Sequence, residues 1–333
     1  MKRFKKILAA AVFAAAALLP TFAREASFTG EDYEIRLFYN DTAVPGDAVF
    51  VRMKFIQNGR MTKADKARFN ATTAVLELYN DEKRLDKAAF YDLEKDSDKT
   101  TRTMLAGIGL SSWWKSDANY HLTVKYNLYG EQPLEFDLPF GLNNKVFESF
   151  TIEATQGMTN IQSDKSAEKM KQIERLNKVL YAVNPEGVHQ TKPFVQPTTV
   201  TRRTSICFER RIYKYTNGKE VYSAHYGTDY GTGTGAKITS CADGKVMIAE
   251  NRVSTGWSVC IEHLPGLYSL YYHMSEIKVK EGDTVKAGDL IGLSGATGFA
   301  TGPHLHWEMR LNTVPVNPDF FCQDFTFDSV EHQ

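Results

Sequence analysis

The stretch TGPHLHWEM, residues Thr301–Met309, determines how the C-terminal part of the chain is interpreted. Its alternation of apolar and polar residues predicts a β-strand, in which successive side chains point to opposite faces. His304 and His306 would therefore share one face of a sheet. Leu305 and Trp307 would pack in the opposite, apolar layer. Two imidazoles on one face favour a metal site or a reactive centre over a pair of inert core histidines.

A second motif supplies further candidate ligands. The segment SAHYGTDYGTGTGAK holds His225 and Asp229 four residues apart. Its many glycines disfavour a helix, so the pair is expected on a bent strand or loop, where Gly227 lets the backbone turn. A phosphate-binding loop is disfavoured because the next segment is typical of a strand and not of a helix. His225, Asp229 and His306 offer two nitrogens and one carboxylate, a set that fits catalytic zinc with one position left for water.

Two other polar residues are expected near this site. His273, in the segment YSLYYHM, is predicted to share a strand face with Ser269 and Tyr271. It would line the same cavity as His304. Glu308 is expected on the same strand face as the two histidines of HLH. There it could orient a ligand imidazole, or it could be a solvated carboxylate at the edge of the sheet.

Three separated motifs carry a resemblance to a known family: HYGTD, YYHMSEIKVKEGDTVKAGDLIGLSGATGFATGPHLHWEM and VNP. Together they resemble the signature of the lysostaphin-type (LytM-like) zinc metalloendopeptidases, which cut peptide cross-links of bacterial peptidoglycan. The resemblance implies a small β-sandwich with a groove over one sheet. It also implies one zinc ion, with the ligands His225, Asp229 and His306. The catalytic residues would then be His273 and His304.

The implied function is that of an exported zinc metalloendopeptidase that acts on peptidoglycan. Zinc supplies a nucleophile from water near neutral pH and polarises the scissile carbonyl. His273 and His304 would share proton transfer and stabilisation of the oxyanion. Two alternatives stay open: a zinc carboxypeptidase that trims stem peptides, and a non-hydrolytic wall-binding or amidase-activating module. The complete set of expected zinc ligands argues against the second alternative.

The patterning predicts an all-β chain of two domains joined by a helix and an extended linker. Short alternating runs separated by turn signals predict an immunoglobulin-like β-sandwich over residues 24–155. Residues 156–204 are predicted to hold one helix and a proline-containing linker. Residues 205–325 are predicted to form the LytM-like β-sandwich peptidase domain. The upstream domain could position the enzyme, bind a partner or cover the groove.

The predicted helix runs from Ser163 to Val183. Ser163 and Asp164 are expected to cap its N-terminus. Its buried face is expected to consist of the apolar residues Ala167, Met170, Ile173, Leu176 and Leu180.

The N-terminus has the pattern of a signal peptide, with basic MKRFKK, the apolar run ILAAAVFAAAALLP and the small residue Ala23. The run is shorter than the roughly 20 residues of a spanning helix, so no stable membrane span is expected once residues 1–23 are removed. The protein is therefore expected to be exported to the periplasm or cell envelope, with secretion as the alternative. Cleavage would leave 36 basic and 40 acidic residues, since four of the 40 basic residues and no acidic residue lie in this segment. This mild acidity without a basic cluster predicts no nucleic-acid partner.

The four cysteines are Cys207, Cys241, Cys260 and Cys322. In an exported protein an even number permits disulfides, for which three pairings are possible. Buried free thiols are the alternative.

Overall fold

The computed structural model describes residues 23–59, 61–93, 100–130, 133–190 and 192–323. The chain divides into two compact units, of which the first ends at Lys145 and the second begins at Val146. The second unit therefore also contains residues 146–204. The predicted all-β class is confirmed in both units. The predicted signal peptide lies outside the described residues, apart from Ala23 at the start of the first strand.

The first unit is built almost entirely of strands. Its elements are β1 (Ala23–Thr29), β2 (Tyr33–Asn40), β3 (Thr42–Ala43), β4 (Ala48–Gln57), α1 (Lys63–Asn70), β5 (Thr73–Asn80), β6 (Lys83–Ala89), β7 (Tyr91–Asp92), β8 (Thr101–Gly109), β9 (Tyr120–Asn127), β10 (Pro133–Pro139) and β11 (Gly141–Leu142). Its five-stranded sheet has the order β1-β2-β4-β8-β7, its four-stranded sheet has the order β10-β9-β5-β6, and the short strands β3 and β11 pair with each other.

The five-stranded and four-stranded sheets of the first unit enclose one apolar core. Leu37 and Met53 from the five-stranded sheet and Leu76 and Leu122 from the four-stranded sheet are fully buried in it. Alternate residues of these strands point inward, as a two-layer sandwich requires.

Within its described residues, the second unit contains one large sheet, one small sheet and three helices. Its elements are β12 (Ser149–Glu153), α2 (Gln156–Ser163), α3 (Ala167–Tyr181), β13 (Arg203–Ser205), β14 (Arg210–Lys214), β15 (Glu220–Ala224), β16 (Gly227–Tyr230), β17 (Lys237–Thr239), β18 (Gly244–Arg252), β19 (Gly256–Leu264), β20 (Leu267–Ile277), β21 (Thr284–Val285), β22 (Leu290–Ser294), β23 (Leu305–Leu311), β24 (Val314–Val316) and α4 (Pro318–Gln323). The large sheet follows the order β13-β16-β23-β20-β19-β18-β21, with β24 beside β23 and with β22 pairing both β17 and β20. The small sheet has the order β12-β14-β15.

The helix predicted from Ser163 differs in its start. Asp164 instead follows the end of α2, and its carboxylate accepts a hydrogen bond from the Ser166 backbone N–H at 2.7 Å. Ser166 caps α3, because its hydroxyl accepts a hydrogen bond from the Lys169 N–H at 3.3 Å. The sequence pattern did not predict the short helix α2. Ser163 and Asp164, the expected N-terminal cap of the long helix, are instead the last residue and the C-cap of α2.

The buried face of α3 also differs from the predicted stripe. Leu180 is buried and Leu176 is partly buried, as expected, but Met170 is 55% exposed and Ile173 is 36% exposed. The buried polar residue of this helix is Gln172. The face of the helix that packs on the large sheet therefore contains Gln172 together with Leu176 and Leu180, and it is not the most apolar face.

The four cysteines carry free thiols; Cys207, Cys241 and Cys260 are buried, and Cys322 is partly exposed. None of the helices in the described ranges combines the length and the apolar character that crossing a membrane would require.

Gly256 provides a test of how tightly the second unit is packed. Its φ is +64°, and a Cβ atom there would lie 2.0 Å from the Thr297 hydroxyl oxygen. We expect Gly256→Ala to lower the free energy of unfolding of this unit by about 2 kcal/mol or more, because backbone strain and steric overlap add. Calorimetric unfolding of the full chain measures the loss.

The matched control is Gly282→Ala. Gly282 has a φ of +91° with open space around the position of a Cβ, so it tests backbone strain alone. Equal losses for the two variants would contradict the close packing at Gly256.

Candidate metal centre

Three side chains from separate elements converge at one end of the large sheet. Asp229 of β16 lies directly opposite His306 of β23 in an antiparallel pair, so both side chains leave the same face. His225 precedes β16 and reaches the same point. The distances are 2.9 Å from His225 Nε2 to His306 Nδ1, 2.9 Å from His306 Nδ1 to Asp229 Oδ1, and 3.1 Å from His225 Nε2 to Asp229 Oδ1.

Gly227 makes this close approach possible. A Cβ atom at this position would lie 2.5 Å from the Trp307 carbonyl oxygen and 2.7 Å from His306 Nε2. Any side chain would therefore push β16 away from β23 and separate Asp229 from His306. Gly227 is therefore not at the expected turn. It lies in β16, where the lack of a side chain lets this strand approach β23 closely.

Three histidines contact a backbone carbonyl oxygen through the ring nitrogen that points away from the centre. His225 Nδ1 lies 3.1 Å from the Ile206 carbonyl oxygen, and His273 Nδ1 lies 2.8 Å from that of Thr297. His304 Nδ1 lies 2.8 Å from the carbonyl oxygen of Gly302. Because a carbonyl oxygen only accepts, these nitrogens carry the hydrogen, and in the neutral ring the other nitrogen keeps its lone pair toward the centre.

The ring of His306 is held from two sides. Its Nε2 lies 3.6 Å from a carboxylate oxygen of Glu308, which also forms an ion pair with Arg310. The ring of Tyr272 stacks on it, with centroids 5.3 Å apart and an interplanar angle of 6°. Glu308 is only 3% exposed, so of the two predicted roles the structure favours orientation of the imidazole over a solvated edge carboxylate.

His273 reaches the centre by a route that the sequence did not predict. Between the pairs Val259–Tyr271 and Trp257–Met274, strand β20 has two residues where β19 has one, which is a β-bulge. His273 occupies this bulge with a φ of +63°, a conformation that costs about 1–3 kcal/mol.

The bulge interrupts the alternation of side chains along β20. Tyr271 pairs with Trp307 in the opposite, buried layer, so the predicted common face of His273 with Ser269 and Tyr271 is wrong. The ring centroid of His273 lies 4.7 Å from that of His304.

His304 precedes β23 and borders the three converging side chains. Its Nε2 lies 3.8 Å from Asp229 Oδ1. The predicted opposite layer is present, since Leu305 and Trp307 are both fully buried. All five residues predicted for the site therefore lie within one small region.

Arg211 of β14 is a neighbour that sequence reasoning missed. One guanidinium nitrogen lies 3.4 Å from Asp229 Oδ2, the carboxylate oxygen that does not face the two histidines. Another donates to the Tyr213 hydroxyl at 3.2 Å. The arginine therefore compensates the buried charge of Asp229. Arg211 lies in the small sheet and Asp229 in the large sheet, so a local motif could not reveal their contact.

Burial and neighbouring charges shift the pKa values of these groups. Burial, followed by the neighbouring His304 and His306, lowers the pKa of His273 to about 3. Burial also lowers the pKa of His225. For His306 burial acts in the same direction, but hydrogen bonds to Asp229 and Glu308 outweigh it and raise the pKa to about 9. His225 and His273 are thus held in the neutral form at neutral pH.

Comparison with known proteins agrees with this site. Residues 223–318 match the sequence model of Peptidase family M23. The DD-carboxypeptidase/endopeptidase Mpg of Neisseria meningitidis is 36% identical over 124 residues, which are 37% of this chain and 28% of that protein. The peptidoglycan DD-endopeptidase ShyB of Vibrio cholerae is 43% identical over 93 residues, which are 28% of this chain and 22% of that protein.

Among solved structures, the catalytic domain of the antimicrobial peptidase lysostaphin from Staphylococcus simulans is 33% identical, with a TM-score of 0.29. The match covers 30% of this chain and 79% of that chain. The family match to residues 223–318 confirms, for that part of the chain, the resemblance seen in the sequence. The chain spans about a quarter of the length of the curated relatives reported above.

The M23 metallopeptidase family implies a metal ion, generally zinc, and the donor atoms described above fit one. Ligand atoms at about 2.0–2.1 Å from a tetrahedral zinc ion lie roughly 3.3 Å from one another. The three observed separations, 2.9, 2.9 and 3.1 Å, are close to this value. Within the parts of the chain that the structure describes, His225, Asp229 and His306 form a group able to hold such an ion.

Glu308 provides a test of how the ligand His306 is oriented. We expect Glu308→Gln to weaken zinc binding by about 10-fold to 100-fold, because the imidazole loses the charged group that fixes its orientation. Competition with a chromophoric chelator measures the affinity.

The matched control is Glu276→Gln on the neighbouring strand β20, where the side chain is 52% exposed. Equal zinc affinity of the Glu308→Gln and Glu276→Gln variants would contradict the orienting role of Glu308.

Proposed function

We propose that this protein is an exported zinc metalloendopeptidase that hydrolyses peptide cross-links of bacterial peptidoglycan. The observation that carries the proposal is the convergence of His225 Nε2, Asp229 Oδ1 and His306 Nδ1 within 3.1 Å of one another. The two additional histidines beside this set distinguish it from a purely structural metal site, in which protein ligands fill every position.

The proposed metal ligands are His225, Asp229 and His306. When bound, zinc supplies a Lewis acid that makes water a nucleophile near neutral pH and polarises a carbonyl oxygen. The rings of His273 and His304 lie side by side at this centre. Because the Nδ1 atoms of both rings bond to backbone carbonyl oxygens, Nε2 is the atom that accepts a proton from water or donates one to the leaving amine.

The substrate class rests on the relatives. The names of the Neisseria and Vibrio proteins state action on peptidoglycan or a combined carboxypeptidase and endopeptidase activity. Because the name of the Neisseria protein includes a carboxypeptidase activity, a zinc carboxypeptidase is the second candidate function for this chain. The complete donor set speaks against a non-hydrolytic binding module.

Export is part of the proposal, supported by the basic and apolar pattern of residues 1–23. We further propose residues 24–155 as the upstream domain, residues 156–204 as the segment between the domains, and residues 205–325 as the peptidase domain. Residues 223–318 of the family match lie inside the last of these.

Incubation of purified sacculi with the zinc-loaded chain lacking residues 1–23 tests the function. We expect new amine termini from opened cross-links, detected by chromatography of muramidase digests. Release of terminal amino acids without opened cross-links would support the carboxypeptidase. No product in either assay would contradict a hydrolase.

The corresponding variant is His306→Ala, which removes a proposed zinc ligand. We expect activity to fall to the background of the assay, because the zinc set loses one of three protein ligands. His121→Ala in the first unit is the control and should retain full activity. Unchanged activity of His306→Ala would show that the proposed centre is not the active site.

A further inference from the structure

We propose that helix α3 is a positioning element of the active site and that Gln172 is the positioning residue that connects the helix to His273. The helix ends at Tyr181, well before the family match that begins at residue 223. This inference rests on the proposed function only for its kinetic readout, since the structural link is independent of the substrate.

Gln172 binds the turn between β18 and β19 through both atoms of its side-chain amide. Its Oε1 accepts a hydrogen bond from the Val253 backbone N–H at 2.8 Å, and its Nε2 donates to the Asn251 carbonyl oxygen at 3.3 Å. Its own backbone carbonyl accepts a hydrogen bond from Arg252 at 3.1 Å. The residue is 8% exposed, and loss of its amide would remove the hydrogen-bond partner of the Val253 N–H and of the Asn251 carbonyl oxygen.

The same turn holds the backbone of His273. The Thr255 carbonyl oxygen accepts a hydrogen bond from the His273 N–H at 2.9 Å. One residue earlier, the Ser254 carbonyl oxygen accepts from the Phe299 N–H at 2.9 Å. Gln172 is therefore linked to His273 by its own hydrogen bond to the turn, by the backbone of the turn and by the hydrogen bond from His273 to Thr255.

The loop that contains Phe299 holds the side chain of His273. Two residues before Phe299, the Thr297 carbonyl oxygen accepts the hydrogen of His273 Nδ1. The Thr297 hydroxyl in turn accepts from the Trp257 N–H at 3.0 Å and donates to the Met274 carbonyl oxygen at 2.7 Å. The turn anchored by Gln172 thus supports both the backbone of His273 and the loop that sets its ring orientation.

A second contact connects α3 to the metal centre. Leu180 of the helix belongs to one apolar cluster with Leu270 and Tyr272 of β20. Tyr272 lies directly opposite His306 in the β20–β23 pair, and its ring stacks on the His306 imidazole. Because residues directly opposite each other share a sheet face, α3 packs on the same face that carries the metal centre.

The bulged conformation of His273 explains why such support is needed. A non-glycine residue at a φ of +63° keeps this conformation only where its surroundings hold it. Local strand pairing cannot do so, since β20 is out of register with β19 at this point. The hydrogen bonds of Thr255 and Thr297 provide this support, and Gln172 fixes the turn to which Thr255 belongs.

The test compares two isosteric changes on the same helix in the full chain. Gln172→Met removes the amide at the turn, and Asn177→Leu removes an amide from an exposed position. For Gln172→Met we expect kcat on peptidoglycan peptides to fall about 10-fold to 100-fold, because a displacement of about 1 Å at a reacting group costs this much. KM and zinc content should stay within about twofold of the wild type.

Hydrogen exchange of the His273 amide gives a readout that does not depend on activity. We expect this amide to exchange at least about tenfold faster in Gln172→Met, because the turn that accepts its hydrogen bond is no longer anchored. The Asn177→Leu variant should match the wild type in kcat and in exchange. If the wild type hydrolyses no peptide, the proposed function fails, while amide exchange still decides the role of Gln172.

The proposal is overturned if kcat and His273 exchange are the same in Gln172→Met and Asn177→Leu. A lower kcat with unchanged exchange of the His273 amide would overturn it as well. If Gln172→Met does not fold, Gln172→Glu replaces it, since a carboxylate still accepts from the Val253 N–H but can donate neither to Asn251 nor to Glu168. Intermediate exchange and kcat would support the proposal, and wild-type values of both would contradict it.

Discussion

The antiparallel pairing of β16 with β23 is the interaction on which the rest of the site depends. It places Asp229 directly opposite His306, and only a glycine at position 227 permits the two strands to approach closely enough. His225 lies outside the regular strands, and the contact of its Nδ1 with the Ile206 carbonyl oxygen fixes the orientation of its ring. The metal centre is thus a consequence of strand register, which a shift by one residue would destroy by turning His306 to the opposite face.

Around this pair, the chain fixes each imidazole in advance of any ligand. Backbone carbonyl oxygens or Glu308 occupy the outward nitrogens, and Arg211 lies against the outward oxygen of Asp229. Because donors and charges are already oriented, little reorganisation is needed when a substrate is bound and a proton is transferred. The same logic extends to α3, which lies outside the family match yet contacts the turn that leads to His273 and the apolar cluster that contains Tyr272.

The sequence predicts those features that follow from short-range alternation. The period of two along HLHWEM correctly assigns Leu305 and Trp307 to a buried layer. The five predicted site residues are found close together, although their chemical roles stay predictions. His273 departs from alternation because a bulge in β20 depends on pairing with β19, and pairing between strands is not encoded in one local pattern. Gln172 was overlooked because a buried face was expected to be apolar, whereas this helix contacts the backbone of a turn.

The most direct measurement is the crystal structure of the full chain grown with zinc, with anomalous diffraction recorded at the zinc absorption edge. We predict a zinc peak about 2.0–2.2 Å from His225 Nε2, Asp229 Oδ1 and His306 Nδ1, with the Nε2 atoms of His273 and His304 facing the open side. A zinc peak that lacks any of these three ligands would contradict it.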